Sequence, residues 1–421
     1  MRILHTSDWH LGKCLEEISR LEEQRGFVDE LCQIADEEGV DVVLISGDVF
    51  DTYTPPSAAE SLYFYAVERL SRGGERAVIV IAGNHDSPER LCAANPLSYR
   101  SGIITLGLPS SIPLDCQTGG GVKIVKAGPA WLELRIEGVP HSAVIIALPY
   151  PSEARLSELL TQRADEDELQ SAYSQKIKTI FRELSRNFRD DTVNLVTSHL
   201  YMLGGRESGS ERPIQLGGAL TVTPDALPEN AHYVALGHLH RPQAVKDAPV
   251  PAYYSGSPIA YSFSEADYSK VVYLVDASPK KEAGVKQIYI KAGKKLFQWK
   301  AGSIEEAFRK CEENRGIDAY IDLEIRTDRV ISAEEQKKLR ELVPGIVNIR
   351  PVILGQNSAN GGDYEGRENK RLDELFCEFY RYKTGTEIRR ELLDAFLEVI
   401  GQGEEELPAS DGGGEFEAEV S

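Results

Sequence analysis

Short apolar runs alternate with helical stretches over the first 90 residues, and this alternation most limits the fold. Arg2–Thr6, Val42–Ser46 and Val78–Ala82 read as strands. Between the first two, Phe27, Leu31, Ile34 and Ala35 fall at i, i+4, i+7 and i+8, which gives a helix one apolar face. Ala58–Leu70 reads as a second helix, and Ser87-Pro88 suits the start of a third. This βαβαβ order predicts an α/β fold with helices on both faces of a sheet. Apolar runs near 131–136, 143–148, 193–198, 232–236 and 271–275 add further strands, and a long polar helix is expected over 153–188.

In open α/β sheets, functional groups gather beyond the carboxyl ends of the strands. Five motifs here occupy such ends: Asp8-Trp9-His10, Gly47-Asp48-Val49-Phe50-Asp51, Gly83-Asn84-His85-Asp86, the lone His199, and Gly237-His238-Leu239-His240. Of the eight histidines, His10, His85, His199, His238 and His240 lie at strand ends and His5 lies beside one. Singly, each motif is an ordinary turn or an ordinary histidine. Their joint occurrence in order, each at a strand end, is not accidental. Carboxylate, carboxamide and imidazole form a mixed oxygen–nitrogen shell, which suits manganese, zinc or iron better than magnesium or calcium. An x-His-x-His pair in extended backbone points both rings to one side, so His238 and His240 are expected to reach neighbouring ions. A carboxylate such as Asp48 can bridge two ions, and two ions roughly 3.5–4 Å apart clamp both oxygens of an in-line displacement at phosphorus.

The ordered set resembles the calcineurin-like metallophosphoesterase superfamily. Three longer strings, His5–Gly12, Ala235–Gln243 and Tyr254–Pro258, resemble its SbcD branch, the nuclease subunits of bacterial SbcC–SbcD DNA-repair complexes. The similarity is strong over roughly residues 1–275. It implies a sandwich of two sheets flanked by helices, a small α+β capping domain and a C-terminal helix pair. It also implies exonuclease and endonuclease activity in DNA repair, recombination and replication. Asp8, His10 and His240 would hold one divalent metal; Asn84, His199 and His238 would hold the other; Asp48 would bridge, with manganese the favoured ion. His85 would act on the scissile phosphate as a catalytic non-ligand, with Asp51 orienting it. Protein phosphatases of the superfamily carry an arginine after the second Asp of GDxxD. Thr52 stands there in this chain, which points to a diester rather than a phosphomonoester.

The chain's 421 residues exceed one ordinary core, so several domains are expected. A nuclease domain over 1–278 leads to a capping domain over 285–354, built from a strand at Val285–Ile290, helices at Ile304–Asn314 and Ala333–Leu342, and strands at Tyr320–Arg326 and Val347–Leu354. Lys291, Lys294, Lys295 and Lys300 are expected to be a solvated face. A linker over 355–371 precedes a helix pair over 372–400, with one apolar stripe at Leu372, Leu375, Phe376 and Phe379 and another at Ile388, Leu392, Phe396 and Ile400. So short a pair cannot bury its stripes alone. The resemblance implies docking on the coiled coil of an SbcC-like ATPase, within a heterotetramer built on a homodimer.

Net charge is −20, partly from an acidic 401–421 tail with no base, which reads as disordered. A DNA binder of this charge depends on local basic patches, bound metal or a partner subunit. The six scattered cysteines lack a CxxC pair, which argues against disulfides or structural zinc and fits a cytoplasmic protein. Neither a signal peptide nor a membrane span is expected. The alternative to a DNA nuclease is a stand-alone small-molecule phosphodiesterase or nucleotide hydrolase, which would need neither capping unit nor helix pair. A third reading, a scaffold whose site only binds metal, fits poorly with a complete ligand set.

Overall fold

The computed structural model describes residues 1–152, 166–211 and 220–353, with isolated positions between 376 and 393. Two sheets dominate. The first runs Gly284–Tyr289, Val271–Asp276, Arg2–Thr6, Val42–Ser46, Ala77–Ile81 and Ile103–Leu106 in spatial order. Its last four strands are parallel, and the two nearest the other edge are antiparallel additions. The second runs Gln243–Ala244, Ala252–Tyr254, Tyr233–Gly237, Val193–His199, Ala143–Leu148, Trp131–Ile136 and Val122–Gly128.

Period-two alternation explains how these strands stack. Leu4, Val43, Ile45, Val78 and Val80 face the helices Leu21–Glu37 and Ser57–Ser71, packing on Phe27, Leu31, Leu62 and Val67. Their neighbours Ile3, Val42, Leu44, Ile79 and Ile81 face the other way, onto Leu132, Leu134, Ile145, Leu195 and Tyr233 of the second sheet. The outer face of that sheet is covered by Tyr173, Ile177 and Phe181 of the helix Glu166–Leu184. The layers are therefore helix, sheet, sheet, helix. This corrects the expectation from βαβαβ order alone, since helices cover one face of the first sheet and the second sheet covers the other. The sandwich implied by the resemblance is what forms.

Other expectations shift. The helix at Ser87-Pro88 is a short one, Pro88–Cys92, capped by Ser87 Oγ accepting from the Arg90 N–H. The strand expected to open the capping domain instead pairs antiparallel along Val271–Asp276, so Gly284–Tyr289 belongs to the first sheet. Its lack of an apolar partner face in the sequence hid this long-range pairing. The capping elements proper are the strands Lys295–Ala301, Ala319–Thr327 and Ile346–Ile353 in one sheet, with the helices Ile304–Glu313 and Ala333–Leu342. They share a core of Trp299, Ala307, Ile321, Leu323 and Leu339. Lys295 and Lys300 lie on a strand that buries Leu296 and Trp299, and the Lys294 ammonium pairs with Asp318 at 2.7 Å. Glu30 of the first helix accepts from the Lys291 and Ala292 N–H groups at 3.0 and 2.8 Å, and Tyr320 O–H donates to Glu23 at 3.0 Å. Met1–Val352 forms one compact unit. Nearly all of the expected linker, helix pair and acidic tail, and residues 153–165 of the expected polar helix, lie outside the described residues. No described helix is long and apolar enough to cross a membrane.

Candidate metal centre

All five motifs meet where the carboxyl ends of the two sheets' parallel strands converge. The approach is close: a Cβ on Gly237 would lie 1.9 Å from the Ser46 carbonyl oxygen, so only glycine allows the second sheet to touch the first here. Beyond the strands, the Asp8–Leu11 and Asp48–Phe50 turns run side by side, with His10 N–H donating to the Asp48 carbonyl at 3.0 Å. Asp8, His10, Asp48 and His238 all have positive φ, at 53°, 44°, 49° and 107°. Left-handed backbone costs a non-glycine residue energy and persists only where surroundings enforce it, as at functional sites. His238 is thus not in extended strand, as the x-His-x-His reading expected. The strand ends at Gly237, and the turn sends His238 and His240 to different halves of the site.

One half gathers Asp8, His10 and His240. His10 Nε2 and His240 Nε2 lie 3.0 Å apart, and Asp8 Oδ1 accepts from the His238 N–H at 2.9 Å. The other gathers Asn84, His199 and His238, with Asn84 Oδ1 2.9 Å from His199 Nε2 and 3.2 Å from His238 Nδ1. Asp48 stands between them: its Oδ2 is 3.6 Å from His10 Nε2 and 3.4 Å from His199 Nε2, while its Oδ1 accepts from the His85 N–H at 2.9 Å.

The donor set fits divalent metal. His199 Nδ1 lies 2.9 Å from the Ser46 carbonyl, which only accepts, so this nitrogen carries the proton and Nε2 faces the oxygens of Asn84 and Asp48. Acceptors that converge on acceptors in a water-poor pocket require positive charge between them. The electrostatics agree. Burial opposes a charged His199, yet the carboxylates of Asp48 and Asp8 raise its pKa to about 9, so the same demand for positive charge draws a proton to Nε2 that a metal ion would displace. Burial pushes Asp8 up to about 6 against the pull of His199 and His240, and it pushes His10 down to about 3. Burial also disfavours a charged Asp48, but His199 and His85 hold it well below the usual carboxylate range.

Asp51 meets His85 by a different atom from the one expected. His85 is buried and packs edge-on against His10, with ring centroids 4.7 Å apart. Its Nδ1 lies 2.7 Å from the main-chain carbonyl of Asp51, so Asp51 orients His85 through its backbone and not its side chain. The carboxylate turns instead to Lys13, at 2.7 Å, and to His10 Nδ1, at the ion-pair distance of 3.4 Å. Which atom of Asp51 faces His85 is a matter of turn geometry, not residue type. His5, counted beside the site, is a core residue with Nδ1 on Tyr233 O–H and Nε2 on the Leu236 carbonyl.

Sequence reasoning missed several supports. Asp86 accepts from the N–H groups of Gly83, Val49 and Phe50, tying two motif turns together, although it stands in the GNHD string itself. Gln24 accepts from Gly12 N–H and donates to the His10 carbonyl. Its signal was a polar residue in register with Phe27, Val28 and Leu31 on an apolar helix face. Ser210, Glu211, Glu265 and Lys270 behind His240 carried no motif.

The family model for calcineurin-like phosphoesterases matches residues 1–242, the span that contains Asp8, His10, Asp48, Asn84, His199, His238 and His240. The SbcD component of the SbcCD nuclease from Bacillus subtilis is 44% identical over 96% of this chain and 99% of its own length. The chain belongs to the SbcD family of calcineurin-like phosphoesterases. The SbcD protein of Rhodobacter capsulatus is 36% identical over 66% of each chain, and that of Escherichia coli K12 is 31% identical over 82% of this chain and 83% of its own. A second family model, described as a type 5 capsule protein repressor C-terminal domain, matches residues 293–384.

Proposed function

We propose that this SbcD-family chain hydrolyses DNA phosphodiester bonds at a two-ion centre. It is a hydrolase, a metal-dependent nuclease that works with an SbcC-type partner. The observation that carries the two-ion reading is Asp48 Oδ2, one carboxylate oxygen facing a histidine nitrogen of each half at 3.6 and 3.4 Å. Asp8, His10 and His240 would hold one ion and Asn84, His199 and His238 the other, with manganese the favoured metal for this oxygen–nitrogen shell. When bound, the ions supply Lewis-acid stabilisation and a lowered pKa for water at the reacting phosphorus.

The protein's own groups do the rest. Asp48 Oδ1, fixed by the His85 N–H, keeps Oδ2 aimed between the halves. His85 donates Nδ1–H to the Asp51 carbonyl, so Nε2 is the nitrogen left to face the phosphate; in the doubly protonated ring its N–H is the proton given to the leaving oxygen, and His85 is left neutral. Thr52, where phosphatases place an arginine, donates to the Thr54 carbonyl at 3.1 Å and is exposed, so it offers no grip on a monoester dianion. We assign residues 1–290 to the nuclease body, 291–354 to the capping domain, 355–371 to a linker and 372–400 to a helix pair for the ATPase coiled coil, with a nuclease homodimer at the centre of a heterotetramer.

A nuclease assay tests this, using linear and hairpin DNA with manganese or magnesium, with and without the ATPase partner. Expected are manganese-dependent cleavage of both substrates and ATP-stimulated cleavage of duplex ends. Turnover of small phosphodiesters without cleavage of DNA under any of these conditions would favour the small-molecule alternative.

A further inference from the structure

Behind the centre lies a buried ion pair that the mechanism above does not use. Glu265, in the short helical turn Phe263–Glu265, is 1% exposed, and Lys270 is 7% exposed. The cost of taking two charges out of water can exceed what their attraction repays, so the pair is weak evidence of stabilisation. Its hydrogen bonds show another use. The Lys270 ammonium donates to Glu265 Oε2, to Ser257 Oγ at 2.7 Å and to the His240 carbonyl at 3.3 Å. Glu265 Oε1 accepts from Ser210 Oγ, and Ser210 Oγ lies 2.6 Å from His240 Nδ1. Glu211 Oε1, from the same segment as Ser210, accepts from the His240 N–H at 2.9 Å.

Proton counting gives this chain a direction. A carboxylate only accepts, and a serine hydroxyl has one proton. Ser210 gives that proton to Glu265, so its oxygen must accept from His240 Nδ1–H. The proton of neutral His240 is thereby placed on Nδ1, which leaves the Nε2 lone pair aimed at His10 Nε2, 3.0 Å away. His199 is fixed differently, by the main-chain carbonyl of Ser46 at 2.9 Å. One half of the centre thus depends on remote side chains for its tautomer, and the other depends on backbone.

We propose that Glu265, paired with Lys270 and acting through Ser210, is a positioning residue that fixes the tautomer and aim of His240, and so sets metal affinity in the Asp8–His10–His240 half alone. The proposal rests on the two-ion reading of the centre. Outer partners of a ligating histidine typically change metal affinity ~10- to 100-fold.

The test is manganese titration of the full-length protein by calorimetry, with electron paramagnetic resonance to separate a spin-coupled ion pair from a lone ion. Wild type should take up two ions per chain and show the coupled pair. Glu265→Gln should bind one ion as before and the second ~10- to 100-fold more weakly, leaving the lone-ion spectrum at manganese levels that saturate wild type. Ser210→Ala breaks the relay without stranding a buried charge, so it should show the same one-sided loss even if Glu265→Gln folds poorly. A wild type that binds fewer than two ions would sink the two-ion reading itself. Two full-affinity ions in a folded Ser210→Ala protein, or equal weakening of both, would overturn the positioning role while leaving that reading intact.

Discussion

Replacing Gly83 by alanine should damage the centre through Asp48, and the contacts say by how much. A Cβ at Gly83 would lie 2.1 Å from Asp48 Oδ1 and 2.4 Å from the Asp48 main-chain nitrogen, whereas real Cβ contacts do not fall below 3.0 Å. The difference is about 0.9 Å for the carboxylate oxygen and about 0.6 Å for the nitrogen. Rotating the side chain relieves only the first clash, so the Asp48 turn has to move. Gly83 is itself tied down, donating its N–H to Asp86 Oδ2 at 2.8 Å. Metal–ligand distances hold to roughly 0.2 Å, so a shift of this size exceeds what a bridging ligand tolerates. Displacements near 1 Å in a catalytic constellation cost about 100-fold in rate. Gly83→Ala should therefore bind both ions more weakly and lose about 100-fold or more in kcat/KM on single-stranded DNA, with partial recovery at high manganese. Manganese titration, nuclease rates and a thermal melt on the same preparation would measure this. A folded variant with wild-type metal content and a rate within about threefold of wild type would refute the close-approach argument.

His85→Ala should keep both ions by metal analysis and lose ~10²- to 10⁴-fold in cleavage; loss of an ion with the activity would make His85 a ligand instead. Asp51→Ala leaves the carbonyl that orients His85 in place but removes the carboxylate facing His10, so metal titration should show weakening in the His10 half, ~10-fold or more. If cleavage instead fell with metal binding untouched, the carboxylate would be acting on His85 after all. Deleting 372–421 should abolish co-purification with the ATPase partner and ATP-stimulated cleavage of duplex ends, while metal-dependent activity on single-stranded DNA persists. A truncated protein that still binds the partner, or one that melts at a much lower temperature, would point to packing on the nuclease body.

The split between what sequence showed and what it hid follows from the range over which each constraint acts. That Asp8, His10, Asp48, Asn84, His199, His238 and His240 would come together was legible because their residue types suit a metal shell, and strand ends place them at points that apolar runs mark out. Five such points in order outweigh what any one turn implies. The parallel strands were legible for the same local reason, but their layering was not. Ile3 and Leu4 are equally apolar, and nothing in them says that one meets the second sheet and the other a helix. The antiparallel pairing of Gly284–Tyr289 with Val271–Asp276 was hidden by its half-exposed faces. Asp51 marks a sharper limit. Residue type predicted a carboxylate orienting an imidazole, but the Asp51 carboxylate pairs with Lys13 and only approaches His10 Nδ1, at 3.4 Å, while the carbonyl of the same residue serves His85. Choosing between them needs the turn's dihedral angles, which no spacing encodes. The supports of His240 lie further out still, for Ser210, Glu265 and Lys270 come from separate segments with no periodicity, and each alone reads as a surface residue. What gave them meaning was burial without an unpaired charge: a costly pair beside the centre whose hydrogen bonds lead through Ser210 to the candidate ligand His240.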